Sequence, residues 1–170
     1  MKKIICFCIA TCMMFFIIGC SKKTDAVTLS GMYTITADVT MDNFKGTISL
    51  NRLGSGSWEI NFSKPDNING LNVSYQNGDA NINFKGLSLS MNRDDIPMKA
   101  IVSNITSVLD KLSTGKDVKY TKSNGIITAK GAIDNSNFEV VMNEKNKSLI
   151  SLNMKDIGLE ATFSDYKPMK

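Results

Sequence analysis

Histidine is absent from the 170 residues of this chain, and its absence excludes much of the chemistry that enzymes use. The usual Ser-His and Cys-His nucleophile pairs, the commonest general base at neutral pH and the commonest zinc ligand are all missing. No glycine-rich phosphate loop or calcium loop of the usual spacing is present. The adjacent acids Asp94 and Asp95 precede Pro97, which fits a helix cap better than a catalytic pair. We therefore expect a protein that is not an enzyme and that needs no metal or cofactor.

Cysteines and long apolar runs are also scarce. Three of the four cysteines lie within the apolar run from Ile4 to Ile18, and the fourth, Cys20, follows it. The run is shorter than the roughly 20 apolar residues that a membrane-spanning helix needs. A basic start at Lys2 and Lys3 precedes the run, and polar residues come directly after Cys20. This layout is typical of a cleaved secretory signal, with an uncleaved signal anchor as the alternative.

Cleavage before Cys20 would leave a single cysteine. No disulfide could then form within the mature chain, so its stability would have to come from a hydrophobic core. The mature chain is long enough for one domain and too short for two ordinary ones. Because Lys2 and Lys3 leave with the leader, the remaining basic residues exceed the 16 acidic residues by only two. Such a small and scattered excess gives no indication of nucleic-acid binding.

From Gly31 onward, apolar and polar residues alternate. Tyr33, Ile35 and Ala37 fall on one face of an extended chain, the pattern of a strand that is buried on one side. The same alternation recurs between turn-forming residues such as Asn77-Gly78 and predicts about ten strands, antiparallel because the loops are short. At Lys85-Gly86 the apolar phase shifts by one residue, which predicts a bulge or bend.

The alternation is interrupted once, after the sixth strand. Asp94 and Asp95 offer an acidic cap, and apolar residues then recur at helical spacing until Gly115, which is suited to end a helix. These signals predict one amphipathic helix over about residues 96–113. The predicted fold is mainly β, of the α+β class. It is a single antiparallel, strongly curved, half-open β-barrel of about ten strands whose concave face is covered by the inserted helix.

The segment Ile17-Ile18-Gly19-Cys20 resembles the lipobox of bacterial lipoproteins. The resemblance implies that residues 1–19 are a cleaved signal peptide and that Cys20 becomes an N-terminus carrying several acyl chains, which anchor a protein stably. Residues 20–30 are then a lipidated N-terminus and a polar tether. Fully extended, this tether reaches about 30 to 35 Å, so we expect the domain at residues 31–166 to stay near the membrane, outside the cell.

The order of strands, helix and further strands behind a lipoprotein signal resembles the LolA/LolB-like superfamily of bacterial lipoprotein carriers. The matching residues lie mainly in the first half of the sheet: Gly46, Arg52, Trp58-Glu59-Ile60-Asn61-Phe62, Pro65 and Asn77-Gly78-Asp79. The resemblance implies a half-open barrel whose concave apolar face accepts acyl chains. A membrane-fixed N-terminus indicates a tethered member of the superfamily rather than a soluble shuttle.

The size of the helix suggests where a ligand would bind. A helix over residues 97–112 spans about 24 Å, whereas ten strands spaced about 4.8 Å apart make a much wider sheet. The uncovered part of the face is expected to form a groove for a lipid or another hydrophobic ligand, lined by Trp58, Ile60, Phe62, Tyr75, Phe84, Met98 and Ile101. If strong curling closes the sheet instead, these side chains are plain core.

The competing function is that of an envelope lipoprotein that binds a protein partner, as a scaffold or regulator of an exported protein. A sheet edge or the polar faces, rich in Asn, Ser, Thr and Lys, would then form the interface. In both interpretations we expect a monomer that is held to the cell membrane by its lipid anchor.

Overall fold

The computed structural model describes Leu29 and residues 31–76, 78–92 and 99–169. Eleven strands and one long helix lie in this part of the chain. The first six strands are β1 (Tyr33–Met41), β2 (Phe44–Gly54), β3 (Ser57–Lys64), β4 (Asn72–Gln76), β5 (Asp79–Phe84) and β6 (Leu87–Asn92). The helix α1 (Lys99–Thr114) follows, and the last five strands are β7 (Lys119–Ser123), β8 (Ile126–Ile133), β9 (Ser136–Asn143), β10 (Leu149–Met154) and β11 (Leu159–Pro168).

All eleven strands belong to one antiparallel sheet, in the order β6-β5-β4-β3-β2-β1-β11-β10-β9-β8-β7. Each half of the sheet is a meander, and the first and last strands of the chain join the two halves. At this junction Ala37 of β1 lies opposite Ile48 of β2 on one side and Phe163 of β11 on the other. Within the described residues the two edge strands, β6 and β7, do not pair, so the barrel is half-open. The predicted fold class is confirmed.

The alternation of apolar and polar residues places one buried face on each strand, because successive side chains of a strand point to opposite sides. We call the buried side of the sheet its inner face. The registers align apolar residues into rows across the inner face, and one such row contains Ile35, Leu50, Ile60, Val73, Ile82 and Leu89. The sheet therefore presents an apolar surface from β1 to its edge at β6.

Lys85 and Gly86 form a two-residue turn between β5 and β6, where the sequence predicted a bulge or bend. Both residues adopt positive φ angles, 50° and 84°, as the favoured two-residue hairpin turns require. Phe84 and Leu87 are opposite each other across this turn. Residues that are directly opposite lie on the same face, which explains the apparent shift in phase along the sequence.

The helix α1 buries one broad side against the inner face. Its buried residues are Ile101, Val102, Ile105, Thr106, Val108, Leu109 and Leu112. The Thr106 hydroxyl donates a hydrogen bond to the Val102 carbonyl at 3.0 Å, so burial leaves this polar group satisfied. Gly115 ends the helix as predicted, with a φ of 66° and its N–H bonded to the Lys111 carbonyl. The predicted cap and proline, residues 94–97, lie outside the described residues.

None of the helices in the described part of the chain is long and apolar enough to cross a membrane.

Candidate functional site: the inner face and its helix

Apolar side chains from both halves of the sheet and from α1 form one continuous core. Trp58, Ile60 and Leu50 are fully buried at its centre, together with Leu109 of the helix. Burying one such side chain contributes about 1.5 to 3 kcal/mol, so this packing holds the helix on the sheet. The core therefore occupies the middle of the inner face, directly beneath α1.

One arginine interrupts the apolar residues of the inner face. Arg52 follows Ile48 and Leu50 at the next inward position of β2, and it is only 4% exposed. Its guanidinium group donates to Asp110 Oδ1 from Nε and Nη2, both at 3.3 Å. Nη2 also donates to Ser113 Oγ at 3.1 Å, and Nη1 donates to the carbonyl of Gly31 at 2.8 Å. Arg52 thus ties the end of the helix and the start of the domain to β2.

Asp110 accepts two further hydrogen bonds from the β2–β3 hairpin. The indole Nε1 of Trp58 donates to Asp110 Oδ2 at 2.9 Å, and the Gly56 N–H donates to the same oxygen at 3.2 Å. The Arg52 guanidinium carbon also lies 5.9 Å from the centre of the Trp58 ring. Because a buried carboxylate needs both a counter-charge and donors, this cluster satisfies Asp110 where the helix meets the sheet. We call Arg52, Asp110, Trp58 and Ser113 the polar clamp.

The next helix residue contacts the other half of the sheet. Lys111 donates from Nζ to the carbonyl of Ala132 on β8 at 2.9 Å. Neighbouring residues of α1 therefore bind opposite halves of the half-open barrel, Asp110 to β2 and β3 and Lys111 to β8. Both contacts lie in the last turns of the helix, so α1 is fixed to the sheet at its C-terminal end.

Among the described residues, none covers the inner face at β6. Leu87 is 78% exposed and Leu89 is 55% exposed, although both lie in register with inner-face residues of β5. Ile82, Phe84 and Met91 beside them are half-buried and pack against the core. The apolar surface thus continues from the core to the edge of the sheet at β6, where Leu87 and Leu89 are exposed to solvent. We call these five residues the apolar edge.

The residues that the sequence placed in a groove occupy different environments. Trp58, Ile60, Phe62 and Tyr75 are at most 2% exposed and lie in the core, and Ile101 is 9% exposed. Phe84 is half-buried at the apolar edge. Met98 and the predicted acylation site Cys20 lie outside the described residues. Ligand contact by these residues stays a prediction.

Sequence reasoning missed the residues that define the two ends of this site. Arg52 and Asp110 were not singled out as partners, although a charged residue at an inward position of an apolar strand is a readable signal. The apolar alternation of β6 puts Leu87 and Leu89 on one face of the strand, and the register places that face on the inner side of the sheet. The length of the helix predicted that part of the face stays uncovered, but the sequence did not indicate that β6 is the exposed strand, because this depends on where α1 lies on the sheet.

Two surface pockets lie away from the apolar edge, and charged and polar residues make up most of the residues that line each of them. The larger, of about 730 Å³, is lined by residues of β7 to β10 that include Lys119, Lys130 and Asp156. The smaller, of about 710 Å³, lies beside Asp38, Lys45 and the β3 end at Lys64. None of the predicted groove residues that the structure describes lines either pocket. Among the described residues, no three metal-ligating side chains come together.

A buried phenol without a hydrogen-bond partner lies beside the polar clamp. Tyr33 is fully buried, and its hydroxyl has no partner among the described residues. Its ring packs edge-on against Trp58 at 5.9 Å between ring centres. Burial raises the pKa of the Tyr33 phenol above its ordinary value of 10, and the nearby Arg52 guanidinium offsets only part of this effect.

Replacing Tyr33 with phenylalanine should therefore stabilise the protein by about 1 kcal/mol at neutral pH, because it removes an unpaired buried hydroxyl and keeps the ring contact. The pKa of the Tyr33 phenol is higher in the folded state than in the unfolded state. Above about pH 10 the unfolded chain therefore loses this proton while the folded protein keeps it, and the protein loses stability as the pH rises further. The gain in Tyr33→Phe should widen above pH 10. Urea unfolding at pH 7 and in the alkaline range measures both effects. Tyr166→Phe, at a half-buried site whose hydroxyl is not one of the unpaired buried groups, is the control with smaller changes, and a loss of stability in Tyr33→Phe at pH 7 would contradict the expectation.

The fold and the site together define a class: a half-open antiparallel barrel whose apolar inner face is partly covered by one helix. No protein-family model and no curated protein matches the sequence. Among solved structures, the chain is similar to an uncharacterized conserved protein from Thermus thermophilus, with a TM-score of 0.56 and 8% identity over 84% of this chain and 81% of that one. That similarity shows a shared fold.

Two further solved structures are similar at lower TM-scores. A LolA superfamily protein from Nitrosomonas europaea has a TM-score of 0.46 and 8% identity, over 87% of this chain and 91% of that one. LprF from Mycobacterium bovis has a TM-score of 0.42 and 14% identity, over 82% of this chain and 88% of that one.

Proposed function

We propose that this protein is a membrane-anchored, extracytoplasmic lipoprotein of the LolA/LolB-like superfamily. Its inner face binds a lipid or another hydrophobic ligand, and it acts without catalysis. The observation that carries the proposal is the apolar edge, where the core surface continues past the helix and ends in the exposed Leu87 and Leu89. Soluble proteins seldom expose adjacent large apolar side chains without a binding role.

The apolar edge suits an acyl chain better than a compact polar ligand. It offers aliphatic side chains in two neighbouring rows, with Leu89 opposite Ile82 and Leu87 opposite Phe84. A chain lying along these rows would bury apolar area at about 25 cal/mol per Å² without losing any hydrogen bond. The core beneath α1 is already filled by Trp58 and its neighbours. Deeper entry of a ligand would therefore require α1 to move, and binding at the edge would not.

Binding can be measured by titrating the chain that lacks its leader with a fluorescent fatty acid. We expect saturable uptake, and Leu89→Asp should weaken it at least about ten-fold because an acyl chain would desolvate the new carboxylate. Leu53→Asp is the matched control, since Leu53 is 49% exposed on β2, far from the apolar edge. Its uptake should stay unchanged. If the folded monomer shows no saturable uptake of the fatty acid, the ligand-binding proposal is wrong.

The anchor has a separate test, because it depends on Cys20 alone. Mass spectrometry of protein purified from membranes should show an N-terminal Cys20 that carries acyl chains, as the lipobox resemblance implies. Finding the leader still attached would contradict the anchor and would leave the ligand-binding proposal untouched.

A second candidate function is supported by the edge strand itself. β6 contains no charged residue between Leu87 and Asn92, whereas the opposite edge, β7, contains Lys119 and Lys122. Lysines protect an edge strand against pairing, and β6 lacks that protection. An extended segment of a partner protein would pair with β6 as a twelfth strand. Crosslinking in the native envelope separates the two functions, since a single dominant protein adduct favours the partner and lipid adducts favour the ligand.

A further inference from the structure

The hairpin that joins β5 to β6 has an unusual distribution of charge. From Ala80 to Asn92 the only charged residue is Lys85, which lies in the two-residue turn at the end of the hairpin. The Lys85 ammonium lies 4.9 Å from the centre of the Phe84 ring, and the side chain is exposed. Leu87 follows the turn and is 78% exposed. We call residues 84–89 the hairpin tip.

The hairpin tip has the chemistry of a segment that lies in a membrane interface. Such segments place aliphatic side chains in the acyl boundary and a basic group at the level of the lipid phosphates. Leu87 and Leu89 supply the aliphatic part, and Lys85 supplies the cation on a flexible stem. The acidic residue of these two strands, Asp79, lies at the opposite end of the hairpin, so no carboxylate of the tip repels an anionic lipid surface.

The length of chain before the domain allows this contact. Arg52 holds the Gly31 carbonyl at the start of β1, so the tether leaves the domain beside Arg52. The hairpin tip lies five strand spacings from β1, about 24 Å, and Leu87 is in the row of Ala37, six residues or about 20 Å along the strand from Gly31, so the separation is roughly 31 Å. The eleven residue steps from Cys20 to Gly31 reach about 36 Å when fully extended. An anchor at Cys20 and the hairpin tip can therefore lie in the same membrane surface.

We propose that the hairpin tip inserts into the interface of the bilayer that carries the anchor, with Leu87 and Leu89 in the acyl boundary and Lys85 beside an anionic lipid phosphate. This inference rests on the proposed function for its anchor and deepens it, because it names the bilayer as the partner of the apolar edge. A lipid then passes from the bilayer to the inner face without crossing water.

A weak contact is sufficient in this arrangement. Each leucine that leaves water favours the inserted state by about ten-fold or more. The lone lysine adds about five-fold on an anionic surface. The tether keeps the hairpin tip within reach of the bilayer, so the contact is intramolecular and these factors favour insertion in the anchored protein.

The test uses the full acylated chain, reconstituted in vesicles of phosphatidylcholine and phosphatidylglycerol with brominated acyl chains. Leu87→Trp reports the hairpin tip, and Leu53→Trp is the control at a second exposed leucine, on β2. The native Trp58 is buried and provides the background. We expect bromine to quench the emission from residue 87 about two-fold more than that from residue 53. Introducing Lys85→Glu into the Leu87→Trp variant should abolish the excess quenching at residue 87 in vesicles that contain phosphatidylglycerol. The same substitution should change the quenching little in vesicles of phosphatidylcholine alone.

Equal quenching at residues 87 and 53, or none at either, would overturn the proposal. If the two residues are quenched equally while Leu87→Trp migrates as a crosslinked dimer, a second copy covers the leucines and the membrane contact is wrong. The fatty-acid titration gives an independent result. Uptake without excess quenching overturns only the membrane contact, whereas excess quenching without uptake overturns only the ligand-binding function.

Discussion

Replacing Arg52 with alanine is expected to lower the free energy of unfolding by about 3 to 5 kcal/mol. The substitution leaves the Asp110 carboxylate at the junction of helix and sheet without its counter-charge, and removing one partner of a buried ion pair typically costs this much. The two side chains are only 5% and 20% exposed, so water screens the pair poorly. Urea unfolding followed by circular dichroism measures the loss.

A double-mutant cycle separates the pair from the rest of the polar clamp. Asp110→Ala removes the counter-charge of Arg52 and also the acceptor for Trp58 Nε1 and the Gly56 N–H. We expect Arg52→Ala with Asp110→Ala to cost less than the two single losses combined, by about 2 kcal/mol, because the double variant leaves no unpaired charge. Strictly additive losses would show that the ion pair contributes nothing of its own.

An exposed ion pair provides the matched control for this cycle. Lys130 and Glu139 lie opposite each other on β8 and β9, with 2.6 Å between Nζ and Oε2 and side chains that are 61% and 45% exposed. Solvent screens such a pair, so Lys130→Ala should change the unfolding free energy by about 0.5 kcal/mol or less. Burial, and not the number of charges, therefore determines the difference between the two experiments.

Gly46→Ala is expected to destabilise the protein by about 2 to 3 kcal/mol. A Cβ at this position of β2 would lie 2.6 Å from the Lys64 carbonyl oxygen and 2.6 Å from the ring of Phe44. The ring can turn, but the carbonyl belongs to the neighbouring strand β3 and moves only if the sheet is distorted. Thermal and urea unfolding of the variant measure the cost.

The same strand contains the control for this substitution. A Cβ added at Gly54 would meet nothing nearer than Ser57 at 3.9 Å, which is ordinary contact. Gly54→Ala should therefore be neutral or slightly stabilising, since it also restricts the unfolded chain. If Gly46→Ala and Gly54→Ala have the same effect, close approach of β3 is not the reason for glycine at position 46.

The polar clamp and the apolar edge divide the inner face into two regions with different roles. Near the clamp, charge and hydrogen bonds fix α1 to both halves of the sheet through Asp110 and Lys111. At the edge, Leu87 and Leu89 have no such cover among the described residues. A ligand at the edge would meet apolar side chains without displacing a polar contact, which is why the proposed function places binding there.

The local structure of this protein was predictable from the sequence because it depends on near neighbours along the chain. Alternation identified the inward residues of β1 through Tyr33, Ile35 and Ala37, and helical spacing identified the buried side of α1. Gly115 was recognisable as the helix end because a left-handed residue there favours glycine. Short turns made the strands antiparallel neighbours, which is sufficient for two meanders.

Two features depended on the tertiary structure alone: how the two halves of the sheet join, and which residues of the inner face stay exposed. The pairing of β1 with β11 joins opposite ends of the chain, and Arg52 contacts Asp110 across 58 residues. Ile60 and Leu89 follow the same alternation in the same row of the sheet, yet Ile60 is fully buried and Leu89 is 55% exposed. The periodicity of a strand determines the direction of a side chain, whereas its exposure depends on distant residues that cover it. The helix contacts β3 through Asp110 and Trp58, and among the described residues nothing covers Leu87 and Leu89 of β6 in the same way.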